Sequence, residues 1–317
     1  MNGLILEALL LIAGFVLLIK GADIFVNASV GIAKKLKVPT VIIGLTIVAM
    51  GTGTPEVVIT ITASIQGAGA LAVSNIVGSN IFNLLFIIGL CALIKALKFE
   101  VHQIAKEFWL SIIAAIMLIG LILIGGTHIP RWGGAVLLAV FIVYLILVIR
   151  KAKKAQGVED HSDEEISKLK PMPIIVLLAV LGCGLIVVGG KLVVDNASKI
   201  AFDLGVTERI IGLTIVAIGT SLPELITSLV ACKKGENEFA LGNIIGSSIF
   251  NILFILGIAG IINPLEFDSA LIFDTIFLIV GSFVALIFVY TSKRLARPEG
   301  TVMALMYVGY MVYILMQ

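Results

Sequence analysis

Charge is what this sequence has least of. Asp, Glu, Lys and Arg make up 13% of its 317 residues against 60% hydrophobic ones, too little polar side chain to cover a soluble globule. An integral membrane protein follows. Cysteine and histidine are equally sparse, at three each. Cys91, Cys183 and Cys232 stand far apart, in or at the edge of apolar stretches, the pattern of packing residues rather than of a disulfide framework. His102, His128 and His161 fall between the apolar stretches, which argues against a histidine metal site or proton relay inside a bilayer. Phosphate-binding glycine loops, dinucleotide fingerprints and Ser/His/Asp constellations are missing as well. The chain therefore reads as neither an enzyme nor a self-contained ATP-driven pump, with no cofactor and no nucleic-acid partner.

What is present is ten apolar stretches, near 3–32, 39–65, 70–94, 104–125, 131–149, 173–201, 207–231, 239–262, 268–291 and 299–316. Most are long enough to span a bilayer, and none alternates with period two, so the expected class is all-α rather than a barrel. The first stretch reads as a retained span and not a cleaved signal, because it has no basic start and carries Glu7. The single long polar run, Lys151 to Lys170, is expected to be a solvated cytoplasmic linker that tolerates partial deletion within Gly157 to Ser167 without loss of function. With the N-terminus outside, 17 Lys and Arg residues fall in inside connections and only Arg131 and Arg209 in outside ones. That bias predicts a multi-pass cell-membrane protein with both termini outside.

The chain is also duplicated. GLTIVAMGTGTPE (Gly44 to Glu56) and NIVGSNIFN (Asn75 to Asn83) return as GLTIVAIGTSLPE (Gly212 to Glu224) and NIIGSSIFN (Asn243 to Asn251), each landmark 168 positions later. About half the paired positions from Val41 to Leu90 are identical, well beyond shared hydrophobicity. Five spans per half is an odd number, so the second half must enter the membrane upside down. The expected architecture is ten transmembrane helices in two inverted five-helix repeats, 1–150 and 171–317, joined by the 151–170 linker.

Within the repeat each residue type has a physical reason. Pro55 and Pro223 lack an N–H and clash with the preceding turn, so each helix should break at Gly51 to Thr54 and at Gly219 to Leu222. A break frees backbone carbonyls, expected from Ala49, Met50, Gly51 and Thr52 and from Ala217, Ile218, Gly219 and Thr220, with the hydroxyls of Thr52, Thr220 and Ser221 beside them. Glu56 and Glu224 supply negative charge at a depth where a bare carboxylate costs on the order of 3 kcal/mol or more, so a cation, a proton or both must neutralise them. Paired carboxylates with neutral oxygens suit Ca²⁺ or, regrouped, Na⁺, and shared ligands make the ions compete. Ser79 and Asn83, with Ser247 and Asn251, are four apart and share a helix face; they read as ligands or ligand supports rather than as packing alone.

At these residues the chain resembles the sodium/calcium exchanger family, whose two repeats carry G-T-S-x-P-E and G-S-N/S-x-x-N/D at this separation. The resemblance covers both repeats and all ten spans. It implies a diamond of cation sites formed by the second, third, seventh and eighth helices. Glu56 and Glu224 would be the main Ca²⁺ ligands, helped by the carbonyls of Thr52 and Thr220. Ala49, Ala217, Ser221, Ser79 and Ser247 would serve Na⁺, and Asn83 and Asn251 would line the centre. Two positions depart from the pattern. Gly53 stands where the family has serine, and Asn251 where some members have aspartate; asparagine there resembles the potassium-independent branch. The expected function is Na⁺/Ca²⁺ antiport by alternating access, extruding Ca²⁺, from a chain that need be no more than a monomer in the bilayer. Ca²⁺/H⁺ antiport on the same scaffold is the alternative that Gly53 raises.

Overall fold

The computed structural model describes residues 2–126, 128–155, 169–205, 215, 217–267 and 270–316. Its helices are α1 (Asn2–Leu36), α2 (Thr40–Thr52), α3 (Thr54–Ile65), α4 (Gly69–Ile94), α5 (Val101–Gly125), α6 (Arg131–Ala155) and α7 (Met172–Asp203). They continue as α8 (Ala217–Thr220), α9 (Leu222–Lys234), α10 (Asn237–Ile262), α11 (Ala270–Ser292) and α12 (Arg297–Met316). Among the described residues eight helices are long and apolar enough to cross a membrane, or nine when α2 and α3, bent by 52° at their junction, count as one span. The expected stretch at 207–231 lies partly outside the described residues, as do Arg209, Gly212, His161 and most of the linker. The linker begins later than expected: α6 runs on through Lys151, Lys153 and Lys154, because this Lys/Ala run is strongly helix-forming and favours a helix C-terminus.

Helices α4 and α10 form the centre. Every residue of α10 from Phe239 to Phe250 is buried, while α1, α7 and α12 leave most of their apolar surface outward, as lipid-facing helices do. At 35 and 32 residues, α1 and α7 are about 50 Å long and must tilt to fit a hydrocarbon layer of about 30 Å. They run antiparallel in close contact. A Cβ at Gly21 would lie 2.9 Å from the Gly182 carbonyl oxygen, and one at Gly14 3.0 Å from that of Gly189. Without side chains at these points the two backbones touch, and dispersion holds them where no hydrophobic drive operates.

Two short ribbons tie the ends. Strand β1 (Leu97–Lys98) pairs antiparallel with β4 (Arg294–Leu295) at the lysine-rich end, and β2 (His128–Ile129) with β3 (Leu265–Glu266) at the other. Lys234 reaches from α9 to Asp23 and Asn27 of α1, 2.6 Å from each side-chain oxygen. Lys151 meets the buried Glu107 at 3.2 Å. Cys91 and Cys232, 141 positions apart and expected to stand alone, become neighbours where α4 and α9 pack.

Candidate cation site

Both helix breaks occur where proline demands them. Gly53 separates α2 from α3 and Ser221 separates α8 from α9, placing each proline in the first turn of the following helix, where its missing N–H costs nothing. Only part of the expected carbonyl release is realised. Pro55 leaves the Gly51 carbonyl without its helical donor, and the Thr54 hydroxyl caps it at 2.8 Å, with the Cys183 thiol at 3.5 Å. The Ala49 carbonyl accepts the Gly53 N–H at 3.0 Å and so is not freed, although the break itself falls within the expected Gly51 to Thr54.

Glu56 and Glu224 occupy the first turns of α3 and α9, 0% and 1% exposed. The two carboxylates are near enough to feel each other's charge. Ser221 donates to Glu56 Oε1 at 3.2 Å, across the two halves, while Glu56 Oε2 and both oxygens of Glu224 have no hydrogen-bond partner. Thr52 and Ser247 stand beside Glu224. Thr52 shares its hydroxyl proton between the Val48 carbonyl, 3.1 Å, and Asn243 Oδ1, 3.2 Å; the Ser247 hydroxyl is unpaired. Neither carboxylate meets a basic side chain among the described residues. Thr220 and Ser79 are buried nearby, Ala49 is fully buried in α2, and Ala217 opens α8.

Asn83 and Asn251 lie on π-helical turns, Phe82–Ile87 and Asn251–Ile255, that interrupt the two central helices. The first packs against α9, which carries Glu224, and the second against α3, which carries Glu56. Such wide turns recur at functional sites because they re-aim side chains and loosen the backbone ladder. Neither amide atom of Asn83 has a partner, and Asn251 leaves its Oδ1 free. Thr52, Glu56, Ser79, Asn83, Thr220, Ser221, Glu224, Ser247 and Asn251 are all buried, whereas Met50 is exposed at 36%.

Sequence reasoning passed over a supporting layer. Asn75 donates to Thr60 at 3.1 Å and its repeat-mate Asn243 to Ser228 at 3.0 Å, each bracing a carboxylate-bearing helix against a central one. Both asparagines lie four residues before the chosen serines, so helical spacing alone could have found them. Asn80, buried between Ser248 and Asn251, gave no such signal because the second copy has serine there. A cavity of about 630 Å³ adjoins the breaks, extending from Pro55, Thr220 and Pro223 along α7 past Lys191 and Asp195 to Lys199.

Buried, uncompensated carboxylates on paired broken helices within a multi-pass apolar bundle define a membrane ion transporter. The family model described as "Sodium/calcium exchanger protein" matches residues 6–150 and 174–316. The chain belongs to this family of exchangers, which are antiporters and not enzymes. It is 38% identical over 314 residues to the putative antiporter CaxA of Alkalimonas amylolytica, covering 97% of this chain and 98% of that one. With the sodium/calcium exchanger MaX1 of Methanosarcina acetivorans it shares 33% over 341 residues, 96% and 97% of the two chains. The solved sodium-calcium exchanger NCX_Mj, soaked with zero Na⁺ and Ca²⁺, superposes with a TM-score of 0.84 at 29% identity over 98% of this chain and 99% of that one.

Proposed function

We propose that this protein exchanges Na⁺ for Ca²⁺ by alternating access and extrudes Ca²⁺ across the cell membrane. The observation that carries the reading is the pair Glu56 and Glu224, buried at membrane depth with oxygens that no basic side chain among the described residues neutralises. Two carboxylates with the Thr52 and Thr220 carbonyls make a hard-oxygen set of the kind Ca²⁺ takes. Ala49, Ala217, Ser79, Ser221 and Ser247 would hold Na⁺ around them, with Asn83 and Asn251 at the centre. Because the carboxylates are shared, arrival of Na⁺ weakens Ca²⁺ and the reverse.

The proposed frame is ten transmembrane helices in two inverted repeats, 1–150 and 171–317. Reciprocal contacts support it. Gly14 meets Gly189 and Gly21 meets Gly182, each residue touching the partner of the other in the 168-residue register; Gly89 meets Gly300 and its repeat-mate Gly257 meets Gly134, two residues off that register. Exchange of this kind between antiparallel helices requires a two-fold axis across them, in the membrane plane. The lysine-rich end would face the cytoplasm with the linker that follows α6, both termini would lie outside, and one chain would suffice. The cavity beside the breaks extends toward the opposite end, as an outward-facing access path would.

Proteoliposomes loaded with Na⁺ are expected to take up ⁴⁵Ca²⁺, and those loaded with an impermeant cation are not. Glu56→Gln or Glu224→Gln should each weaken Ca²⁺ uptake roughly a hundredfold, since ligand charge sets affinity over decades. Unchanged uptake in either variant would overturn the reading. Gly53 favours a second reading: Glu56 accepts a hydroxyl from Ser221, while Gly53, the matching position in the first repeat, has no hydroxyl to offer. Uptake that ignores Na⁺ and follows a pH gradient would assign Ca²⁺/H⁺ antiport instead.

A further inference from the structure

Asn80 has a use that neither the repeat nor the exchanger motif assigns. Its side chain is fully buried, its Nδ2 donates to the Ser248 backbone carbonyl at 3.0 Å, and its Oδ1 accepts the Asn251 Nδ2 at 3.0 Å. A backbone carbonyl can only accept, so the first bond fixes which end of the Asn80 amide faces which neighbour. Oδ1 is therefore the end presented to Asn251, and Asn251 must answer with its NH₂. That leaves Asn251 Oδ1 buried and without a partner, on the π turn packed against the Glu56 helix. No equivalent constraint acts on Asn83. In the 168-residue register its orienting partner would be Ser248, whose hydroxyl turns back onto its own helix at the Ile244 carbonyl, 3.1 Å away.

We propose that Asn80 is a positioning residue that locks the Asn251 amide so that it offers the cation centre a carbonyl oxygen and never its NH₂. This rests on the cation-site reading above. An asparagine free to rotate presents a donor to a cation part of the time, and each such orientation is repulsive. Anchored through Asn80 to a main-chain carbonyl, Asn251 stays a constant neutral ligand. The central position thus has one fixed amide, Asn251, and one adaptable amide, Asn83, which suits a site that must accept ions of different charge in turn.

Equilibrium ⁴⁵Ca²⁺ binding to the purified full chain in detergent, with Na⁺ as competitor, tests this. Asn80→Ala and Asn80→Ser are expected to weaken Ca²⁺ binding about tenfold or more, the usual effect of removing a partner that orients a metal ligand. The decisive arm repeats Asn80→Ser in an Asn251→Asp background. Both oxygens of a carboxylate accept, so orientation no longer matters and the loss should shrink to about twofold or less. An equal loss in both backgrounds would make Asn80 a packing residue and overturn the proposal, as would unchanged affinity in both Asn80 variants. A wild-type chain that binds neither Ca²⁺ nor Na⁺ would overturn the exchanger reading itself, a result distinct from the other two.

Discussion

Ser221 and Gly53 occupy matching positions in the two breaks, yet only the first carries an oxygen, and it is spent on Glu56. Glu224 has no hydroxyl from the matching position and stands beside Thr52 and Ser247 instead. Restoring the hydroxyl is sterically feasible. A Cβ at position 53 would lie 3.0 Å from the Ala49 carbonyl oxygen and 3.4 Å from the Phe250 ring, contacts that small shifts relieve. Gly53→Ser is therefore expected to raise the apparent Na⁺ affinity about fivefold, the worth of one added hydrogen-bonding oxygen near 1 kcal/mol, read as Na⁺ competition against ⁴⁵Ca²⁺ uptake. An unchanged Na⁺ dependence would mean that the new hydroxyl turns away from Glu224. The pairs Glu56 with Glu224, Ser79 with Ser247 and Asn83 with Asn251 stood out in the sequence because they repeat at matching positions, and Ser221 stood out without a matching hydroxyl. Asn80 did not, because its function depends on a main-chain carbonyl contributed by the other half.

Among the elements, the pair α1 and α7 is the one that depends most on what is missing. Gly182 sits with a prospective Cβ 2.8 Å from the Phe25 backbone nitrogen and 2.9 Å from the Gly21 carbonyl oxygen, both main-chain atoms that cannot yield separately. Gly184, two residues along the same helix, has nothing within 4 Å of its prospective Cβ. Gly182→Val should thus lower the thermal midpoint in detergent by an amount equivalent to about 1–3 kcal/mol, the cost of overpacking. Gly184→Ala should leave the midpoint unchanged or raise it, as alanine is the better helix former by about 1 kcal/mol. Equal effects at the two positions would refute the close-contact account. The helix breaks were readable from proline, since its lost N–H acts locally. The π turns at Phe82–Ile87 and Asn251–Ile255 were not, because no residue type encodes them and tertiary packing around α4 and α10 decides where the ladder widens.

For the whole molecule, the proposed orientation places Lys98 inside and Arg131 outside. Both are exposed, on ribbons or helix ends at opposite ends of the bundle. With Cys91, Cys183 and Cys232 replaced, a cysteine at position 131 should react with a membrane-impermeant maleimide on intact cells. One at position 98 should react only after the membrane is opened, and the reverse pattern would invert the topology. Hydrophobicity and its length scale settled from the sequence that this chain lives in a bilayer as helices, because the bilayer leaves a backbone no other way to satisfy its hydrogen bonds. Duplication and the proline–glutamate pairs likewise announced two equivalent broken helices with charge between them, since both features are local and repeat at a fixed spacing. Sequence could not say which carbonyls stay engaged, that Cys91 meets Cys232, that Ser221 serves the glutamate of the other half, or which way the Asn251 amide points. The engaged carbonyls are held locally, by Thr54 and by the Gly53 N–H, whereas the other three depend on side chains from distant spans that only the folded arrangement brings together.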